Sequence, residues 1–232
     1  MPIDIKENIK QVRRRITLAA KRVGRDPAEI TLVAVTKGHG PRIMKKALEA
    51  RVIALGENKV QEAEEKIAAI GRPAASWHLV GHLQKNKARR AVQLFDAIHS
   101  IDSPELVHRL ERICVEEGRR ALPVLVQVDL AGEASKSGVP ETQLQLVVEA
   151  LKRCERVRFE GLMVLPPFVE DPEGTRSYFI RLRDIRDRLA AERAFFGGYG
   201  HLSMGMSHDF EVAIEEGATI VRIGTEIFGK RK

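Results

Sequence analysis

The stretch Ala34-Val35-Thr36-Lys37-Gly38 contains the pattern that repeats along this chain. It ends a short apolar run, residues 30–35, whose β-branched side chains predict a buried strand. Lys37 lies where that strand gives way to a glycine loop, although lysine prefers solvated positions. Partial desolvation there would lower the pKa of the ammonium group and favour the neutral amine that forms Schiff bases. A strand-end lysine that simply reaches into water is the alternative.

The same strand-then-loop unit recurs eight times, with helices between the strands. The strands are short and often continuously apolar, as buried parallel strands are, and eight such units in about 250 residues are typical of a (β/α)8 barrel. We therefore predict an α/β fold: a single (β/α)8 TIM-type barrel domain over residues 1–232 with an additional N-terminal helix. A doubly wound open sheet is the alternative, but no G-x-G-x-x-G follows the first strand. The predicted strands are residues 30–35, 52–55, 76–80, 97–99, 122–128, 159–165, 199–204 and 218–223.

Composition limits the class of protein. Apolar residues make up 44% of the chain and charged residues 31%, which is typical of a globular protein. There is neither an apolar run of about 18 residues that could span a membrane nor a signal-peptide core. Cys114 and Cys154 fall in helical patterns, which indicates reduced core residues and a cytoplasmic protein. The net charge of +7 lies in runs interleaved with apolar or acidic residues, so we expect solvated helix faces, no nucleic-acid partner and a monomer.

Polar side chains collect where the predicted strands end. In a barrel these ends share one mouth, where active sites are built. The loops at the opposite end, such as residues 24–26 and 71–73, are predicted to be simple connections between helices and strands. This asymmetry predicts a functional site in the mouth. The strand-end residues are Lys37, Glu57, Asn58, His82, Ser100, Asp102, Asp129, Met163, Ser203, Met206, Arg222, Gly224 and Thr225.

The last two strand ends indicate a bound anion. Ser207 precedes a predicted helix, so its hydroxyl and the nearby amides would face a helix N-terminus. Gly224 and Thr225 form a second loop, and phosphate sites in barrels often lie between the loops after strands seven and eight. A phosphate site opposite a strand-end lysine indicates a phosphorylated aldehyde held as an imine, for which pyridoxal 5'-phosphate (PLP) is the obvious cofactor. Ser207 acting only as a helix cap is the alternative.

The chain resembles the pyridoxal phosphate homeostasis protein family, which has the fold of the alanine racemase N-terminal domain. The resemblance covers nearly the whole chain, and the combination of SMGMS at residues 203–207 with RIGT at residues 222–225 is specific. The other matching segments are AVTK (34–37), GENKVQE (56–62), WHLVGHLQKNK (77–87), HSIDS (99–103), KSG (136–138) and GLM (161–163). Two positions depart from the expected pattern: the Gly38-His39-Gly40 loop and Asp129, where asparagine is usual.

This resemblance implies a role for each matched position. Lys37 would form the Schiff base with PLP, and Arg222 would face the pyridine nitrogen. The residues expected to hold the phosphate are Ser207, Gly224 and Thr225, and those expected beside the cofactor are Asn58 and Met206. The family's role would be that of a PLP-binding protein that supports vitamin B6 and amino-acid homeostasis without established turnover, with PLP-dependent apoenzymes as recipients.

Four other functions stay open at this point. Arginine at the pyridine nitrogen disfavours carbanion chemistry, and Tyr178 and Tyr199 are predicted away from the mouth, yet a weak PLP-dependent racemase or lyase remains the main alternative. A phosphosugar barrel enzyme and a nucleic-acid-binding protein are two more. A metal site at His78 and His82 would need a third ligand, which the sequence does not supply.

Overall fold

The computed structural model describes residues 3–132 and 137–229, and within these ranges strands alternate with helices. The strands are β1 (Thr31–Val35), β2 (Ala54–Glu57), β3 (Ser76–Leu79), β4 (Ala97–Ile101), β5 (Leu122–Asp129), β6 (Val139–Pro140), β7 (Val157–Met163), β8 (His201–Met206) and β9 (Ile220–Ile223). The helices are α1 (Ile5–Arg22), α2 (Pro41–Glu49), α3 (Val60–Ile70), α4 (Ala88–Leu94), α5 (Pro104–Glu116), α6 (Leu144–Lys152), α7 (Arg176–Ala191), α8 (Phe210–Glu215) and α9 (Thr225–Phe228).

The strands close into a parallel barrel. Neighbours follow the order β4-β3-β2-β1-β9-β8-β7-β5, and β4 also pairs with β5, which joins the two ends of the sheet. The two-residue strand β6 lies outside this ring and pairs only with the end of β5. The prediction of an eight-stranded TIM-type barrel is therefore confirmed. That the whole of 1–232 forms one domain stays a prediction, because residues 1–2, 133–136 and 230–232 lie outside the described part.

The predicted N-terminal helix is confirmed as α1. The Asp4 side chain accepts a hydrogen bond from the Glu7 amide and begins the helix. The apolar stripe seen in the sequence becomes its buried face, which packs against α8, α9 and α2. Asn8 fixes the register, because its side-chain amide donates to the Ile227 carbonyl over 2.9 Å. The helix thus covers the part of the barrel next to the predicted phosphate loops.

The barrel interior contains an apolar layer and a polar one. Seven apolar side chains form the inner cluster: Val33, Val35, Ala54, Val80, Leu125, Met163 and Ile220. Buried polar side chains on neighbouring strands accompany them: His99, Gln127, Ser203 and Arg222. The larger apolar core fills the space between the strands and the surrounding helices. A TIM barrel normally fills its interior with branched apolar residues. The layer of buried polar side chains is a departure from that pattern.

Several predicted boundaries were wrong by two residues. β2 begins at Ala54 rather than at residue 52. Ile53 is 74% exposed and belongs to the connection between α2 and β2. β7 begins at Val157, which pairs with Leu122, although Arg158 interrupts the apolar pattern from which the strand was predicted. Strand pairing, which a single-sequence pattern does not contain, determines these ends.

The two cysteines are free thiols, as predicted. Cys114 is buried in α5 and Cys154 is partly buried after α6. Burial raises the pKa of the Cys114 thiol to about 11 and that of Cys154 to about 12. Across residues 3–132 and 137–229 no helix has the length and apolar character needed to cross a bilayer.

Candidate functional site

A cavity of about 600 Å³ opens at the carboxyl ends of the barrel strands. We call it the mouth cavity. Its walls include apolar side chains from β1, β3 and the loop after β7, and its floor carries the Arg222 guanidinium. All seven residues predicted to bind the cofactor line it, namely Lys37, Asn58, Met206, Ser207, Arg222, Gly224 and Thr225. The fold therefore brings together groups that are spread over nearly 190 positions of the sequence.

Both peptide groups that flank Lys37 are held by α3. Lys66 donates to the Thr36 carbonyl over 2.7 Å, and the Glu62 carboxylate accepts from the Gly38 amide over 2.6 Å. The Thr36 amide also continues the sheet by donating to the Gly56 carbonyl. The backbone on each side of Lys37 is thus fixed by hydrogen bonds to charged groups, which are the stronger kind. Lys37 itself is partly buried on the wall of the mouth cavity.

These contacts belong to a buried charge cluster that we name the α3 clamp: Thr36, Glu57, Glu62 and Lys66. The Lys66 ammonium group lies 2.7 Å from a carboxylate oxygen of each glutamate, and the Thr36 hydroxyl donates to Glu57. Burial raises the pKa of Glu57 despite these partners. Burial also acts to raise the pKa of Glu62, but the hydrogen bonds from Lys66 and the Gly38 amide lower it overall. Sequence analysis predicted Glu57 in the mouth but missed Lys66, because its i+4 spacing from Glu62 is that of an ordinary surface pair.

Arg222 is a buried cation, and no carboxylate of the described residues is hydrogen-bonded to it. Its side chain donates to the Ser203 hydroxyl over 2.7 Å and to the Val164 carbonyl over 2.9 Å. Burial lowers its pKa to about 10, and the Asp209 carboxylate opposes this shift through space. A guanidinium group offers five N–H donors, so donors remain available beyond the two bonds found in the described part of the chain. Buried charges are normally paired, and this one therefore indicates that the cavity accommodates a hydrogen-bond acceptor or an anion.

A chain of hydrogen bonds runs from Arg222 through the barrel interior. The Ser203 hydroxyl lies 2.9 Å from His99 Nδ1, His99 Nε2 lies 2.9 Å from His78 Nδ1, and His78 Nε2 lies 3.0 Å from the Ser76 hydroxyl. All these bonds are satisfied when Arg222, Ser203, His99 and His78 each donate to the next group in this interior chain, with both imidazoles neutral. Burial lowers the pKa of His78 to about 4 and that of His99 well below its usual value, which agrees with neutral rings.

The Ser207 hydroxyl joins the two predicted phosphate loops. It accepts from the Gly224 amide over 3.2 Å and from the Glu226 amide over 3.4 Å. The alternative in which Ser207 only caps the following helix does not hold, since Asp209 is the residue before α8. The Asp209 carboxylate accepts from the Met206 amide. The helix begins after a turn at residues 207–209, which leaves the serine free to face the β9 loop. Two amides therefore converge at the rim of the mouth cavity, next to Thr225.

Some strand-end residues predicted in the mouth lie elsewhere. The Asp129 carboxylate accepts hydrogen bonds from the amides of Ala131 and Gly132 in its own loop. Asp129 is not among the residues that line the mouth cavity. Met163 is buried in the inner apolar cluster. The KSG segment at 136–138 falls partly outside the described residues, because Lys136 is not among them. Ser137 lines the mouth cavity and accepts a hydrogen bond from Gln127.

His78 and His82 do not come together as metal ligands. His82 lies beyond the end of β3, where its Nδ1 is 3.1 Å from an Asp102 carboxylate oxygen, whereas His78 joins the interior chain. Within residues 3–132 and 137–229 no group of three or more His, Cys, Asp or Glu side chains is arranged to hold a metal ion. The His82–Asp102 pair is a second feature that sequence analysis did not assemble, although both residues were recognised as strand ends.

The whole chain matches one family of known proteins. The family "Alanine racemase, N-terminal domain" matches residues 5–232. The chain is 39% identical over 226 residues to the pyridoxal phosphate homeostasis protein of Aquifex aeolicus, covering 97% of this chain and 98% of that protein. It is 40% identical over 230 residues to the protein of that name from Pseudomonas aeruginosa, covering 98% and 96%.

A solved structure shows the same likeness. PipY of Synechococcus elongatus, determined with PLP bound, is 36% identical to this chain and superimposes with a TM-score of 0.83, over 97% of this chain and all of that one. Sequence identity at this level over the full length exceeds what a shared fold alone produces. The chain therefore belongs to the pyridoxal phosphate homeostasis protein family, which is built on the alanine racemase N-terminal domain.

Proposed function

We propose that this protein holds PLP in the mouth cavity as a Schiff base on Lys37 and supports intracellular PLP and amino-acid homeostasis as a carrier. One observation carries the proposal: a lysine whose flanking backbone is held by hydrogen bonds shares a cavity with a buried arginine. Within residues 3–132 and 137–229 that arginine bonds only to neutral oxygens. The relatives' names and the PLP bound to PipY support it.

The residues of the mouth cavity fit PLP in size and in charge. A cavity of about 600 Å³ falls within the range of small-molecule sites. Val35, Val80 and Leu165 offer apolar surface to a pyridine ring. The Ser207 hydroxyl accepts from two amides of the β9 loop and keeps its own O–H to donate to a phosphate. The Thr225 hydroxyl, which also lines the cavity, offers a second donor. We propose that Asn58 and Met206, which also line the cavity, lie beside the ring.

When bound, PLP supplies an electrophilic aldehyde and a conjugated ring that can accept electrons. Lys37 would provide the amine, and the α3 clamp would fix the direction from which its side chain enters the cavity. Arg222 would donate a hydrogen bond to the pyridine nitrogen and keep that nitrogen unprotonated, since a guanidinium with a pKa near 10 retains its charge at neutral pH. The interior chain of Ser203, His99 and His78 would hold the guanidinium in that orientation.

A carrier fits this site better than a racemase or lyase does. An unprotonated pyridine nitrogen is a weaker electron sink, and the two tyrosines are not found in the lining of the mouth cavity. Tyr199 stacks on Arg186 at the opposite end of the barrel. The delivery of PLP to PLP-dependent apoenzymes and the monomeric state stay predictions.

Two measurements on the purified protein test the proposal. Titration with PLP should produce the absorbance band of a Schiff base, and borohydride should abolish that band by reducing it. The PLP-loaded protein should exchange the α-proton of alanine or serine for deuterium no faster than free PLP does. A protein that forms no Schiff base contradicts the proposed cofactor chemistry and favours a phosphosugar enzyme. Exchange at ordinary enzyme rates of about 1–1000 per second would restore the racemase or lyase alternative.

A further inference from the structure

A histidine–aspartate pair stands in the wall of the mouth cavity, across the barrel from the phosphate loops. His82 lines the cavity with Lys37, and its Nδ1 is 3.1 Å from an Asp102 carboxylate oxygen. The His82 side chain is 49% exposed, whereas that of Asp102 is only 17% exposed. The Asp102 carboxylate beside Nδ1 favours the ring form that carries its proton on that nitrogen. The lone pair of Nε2 can then accept a proton.

The backbone at His82 is fixed from two directions. The Ser100 hydroxyl donates to the Gly81 carbonyl over 2.7 Å, so β4 holds the peptide group that precedes His82. Gly81 also packs directly against the Asn58 backbone, because a β-carbon at Gly81 would lie 2.2 Å from the Asn58 carbonyl oxygen. Only glycine permits this approach. The contacts of Gly81 with Ser100 and Asn58 therefore fix the backbone that leads into His82, and the Asp102 carboxylate orients the half-exposed imidazole itself.

The other ionisable groups of the mouth cavity are less suited to moving a proton. Arg222 keeps its proton at neutral pH. His208 Nε2 lies 3.0 Å from the carbonyl oxygens of Val169 and Glu170 and therefore carries a proton, and no carboxylate of the described residues forms an ion pair with this ring to orient its Nδ1. The described residues contain no further partner for the His82 ring besides Asp102.

We propose that His82, oriented by Asp102, is the proton-transfer group for the formation and release of the Lys37 Schiff base. The inference rests on the proposed function. Lys37 starts the reaction as an ammonium group. His82 Nε2 removes one proton from it as the lysine nitrogen forms its bond to the aldehyde carbon. His82 then returns that proton to the aldehyde oxygen, which also takes a second proton from the nitrogen and leaves as water. A protonated C=N bond replaces the C=O bond. Release by water is the reverse, and no redox partner is needed.

The test follows PLP capture by the apo protein. Stopped-flow absorbance at pH 7 measures the rate at which the Schiff base forms, and a separate equilibrium titration measures how much PLP is bound. We expect His82→Ala and Asp102→Asn to retain PLP at equilibrium but to form the Schiff base more slowly, by about 10²-fold for His82→Ala, a typical loss for one acid–base group. Added imidazole should restore much of the His82→Ala rate. His108→Ala, a histidine exposed on α5, is the control and should behave as the wild type does.

A second measurement needs no PLP. Nitrogen-15 NMR of the apo protein should show His82 with its proton on Nδ1, and Asp102→Asn should change that tautomer balance. Equal capture rates for wild type and His82→Ala, with normal occupancy in both, would overturn the inference and leave the proposed function intact. A wild-type protein that captures no PLP on Lys37 would overturn both. A rate loss in His82→Ala that imidazole does not restore would also contradict proton transfer, since a merely structural role would give that result.

Discussion

The barrel has a cavity at each end, and the two differ in how their charges are satisfied. The cavity at the amino-terminal ends of the strands is the larger, about 940 Å³ against about 600 Å³ for the mouth cavity. We call it the opposite cavity. Its arginines are paired locally: Arg186 bonds with Asp187 over 2.6 Å and stacks on Tyr199, and Arg183 bonds with Glu216. Arg25 donates to two backbone carbonyls.

The mouth cavity has a buried cation with no bonded carboxylate and a lysine held by its neighbours. Arg222 is 3% exposed and bonds only to neutral oxygens in the described part of the chain. A small molecule with an acceptor atom and a phosphate would complete that arrangement, whereas the arginines of the opposite cavity already have carboxylate or carbonyl partners. Under the proposed function, unmet hydrogen-bonding capacity rather than volume distinguishes the cofactor-binding end of this barrel.

The largest expected effect is the loss of the α3 clamp at the mouth. Lys66→Met removes the cation from Glu57, whose side chain is fully buried and whose second carboxylate oxygen has no hydrogen-bond partner among the described residues. Leaving one member of a buried ion pair uncompensated costs about 3–5 kcal/mol. Urea unfolding should show that loss in the free energy of unfolding, and Lys66→Met with Glu57→Gln should recover part of it. Equal stability of Lys66→Met and wild type would show that the clamp does not hold the strand.

An effect that is smaller per pH unit should appear on acidification, because the interior chain contains two buried imidazoles with lowered pKa values. Burial lowers the pKa of His78 to about 4 and that of His99 well below its usual value, so below pH 6.5 the unfolded chain binds protons that the folded chain does not. The free energy of unfolding should therefore fall with falling pH, by about 1.4 kcal/mol per pH unit for each imidazole. Urea unfolding between pH 7 and pH 5 measures this slope.

His78→Gln provides the matched control for that slope. It removes one of the two buried imidazoles, so the pH dependence between pH 6.5 and pH 5 should become shallower than in the wild type. His108→Gln, on the exposed face of α5, should leave the slope as it is. If His78→Gln and wild type have the same slope, the two interior imidazoles do not stay neutral in the folded protein.

The phosphate loops should show an effect on binding rather than on stability. Ser207→Ala removes an acceptor for two amides and a donor for the phosphate, and a hydrogen bond to a charged group contributes about 1.5–3 kcal/mol. PLP affinity should therefore fall more than the affinity for pyridoxal, which lacks the phosphate. Equilibrium titration with both ligands checks this. Equal losses would mean that Ser207 only ties the two loops together. Thr225→Ala should likewise lower the affinity for PLP more than the affinity for pyridoxal.

The smallest effect belongs to the opposite cavity. Arg183→Met breaks a half-exposed ion pair with Glu216, which Arg176 still contacts over 2.6 Å. Such pairs contribute about 0–1 kcal/mol. We expect a slightly lower free energy of unfolding and unchanged PLP affinity. A marked loss of PLP binding in this variant would mean that the opposite cavity takes part in cofactor binding.

The amino-acid sequence predicts the architecture well because a barrel unit is a local pattern. Apolar runs, caps and glycines indicate each strand and helix, and the strand-end rule then places Lys37 and Arg222 at one mouth. The α3 clamp, the interior chain and the His82–Asp102 pair escaped prediction because each joins residues from different strands. Lys66 and His78 resemble ordinary helix and strand residues, and only the closed barrel brings their partners within hydrogen-bonding distance.

The central claim is tested most directly by locating the cofactor on the chain. The protein is loaded with PLP, reduced with borohydride, digested and analysed by peptide mass spectrometry, with Lys37→Ala treated in parallel. We predict a phosphopyridoxyl group on Lys37 in the wild type and none on the same peptide of the variant. A label fixed mainly on Lys59, Lys66 or a lysine remote from the mouth cavity would contradict the assignment of Lys37 as the residue that holds PLP.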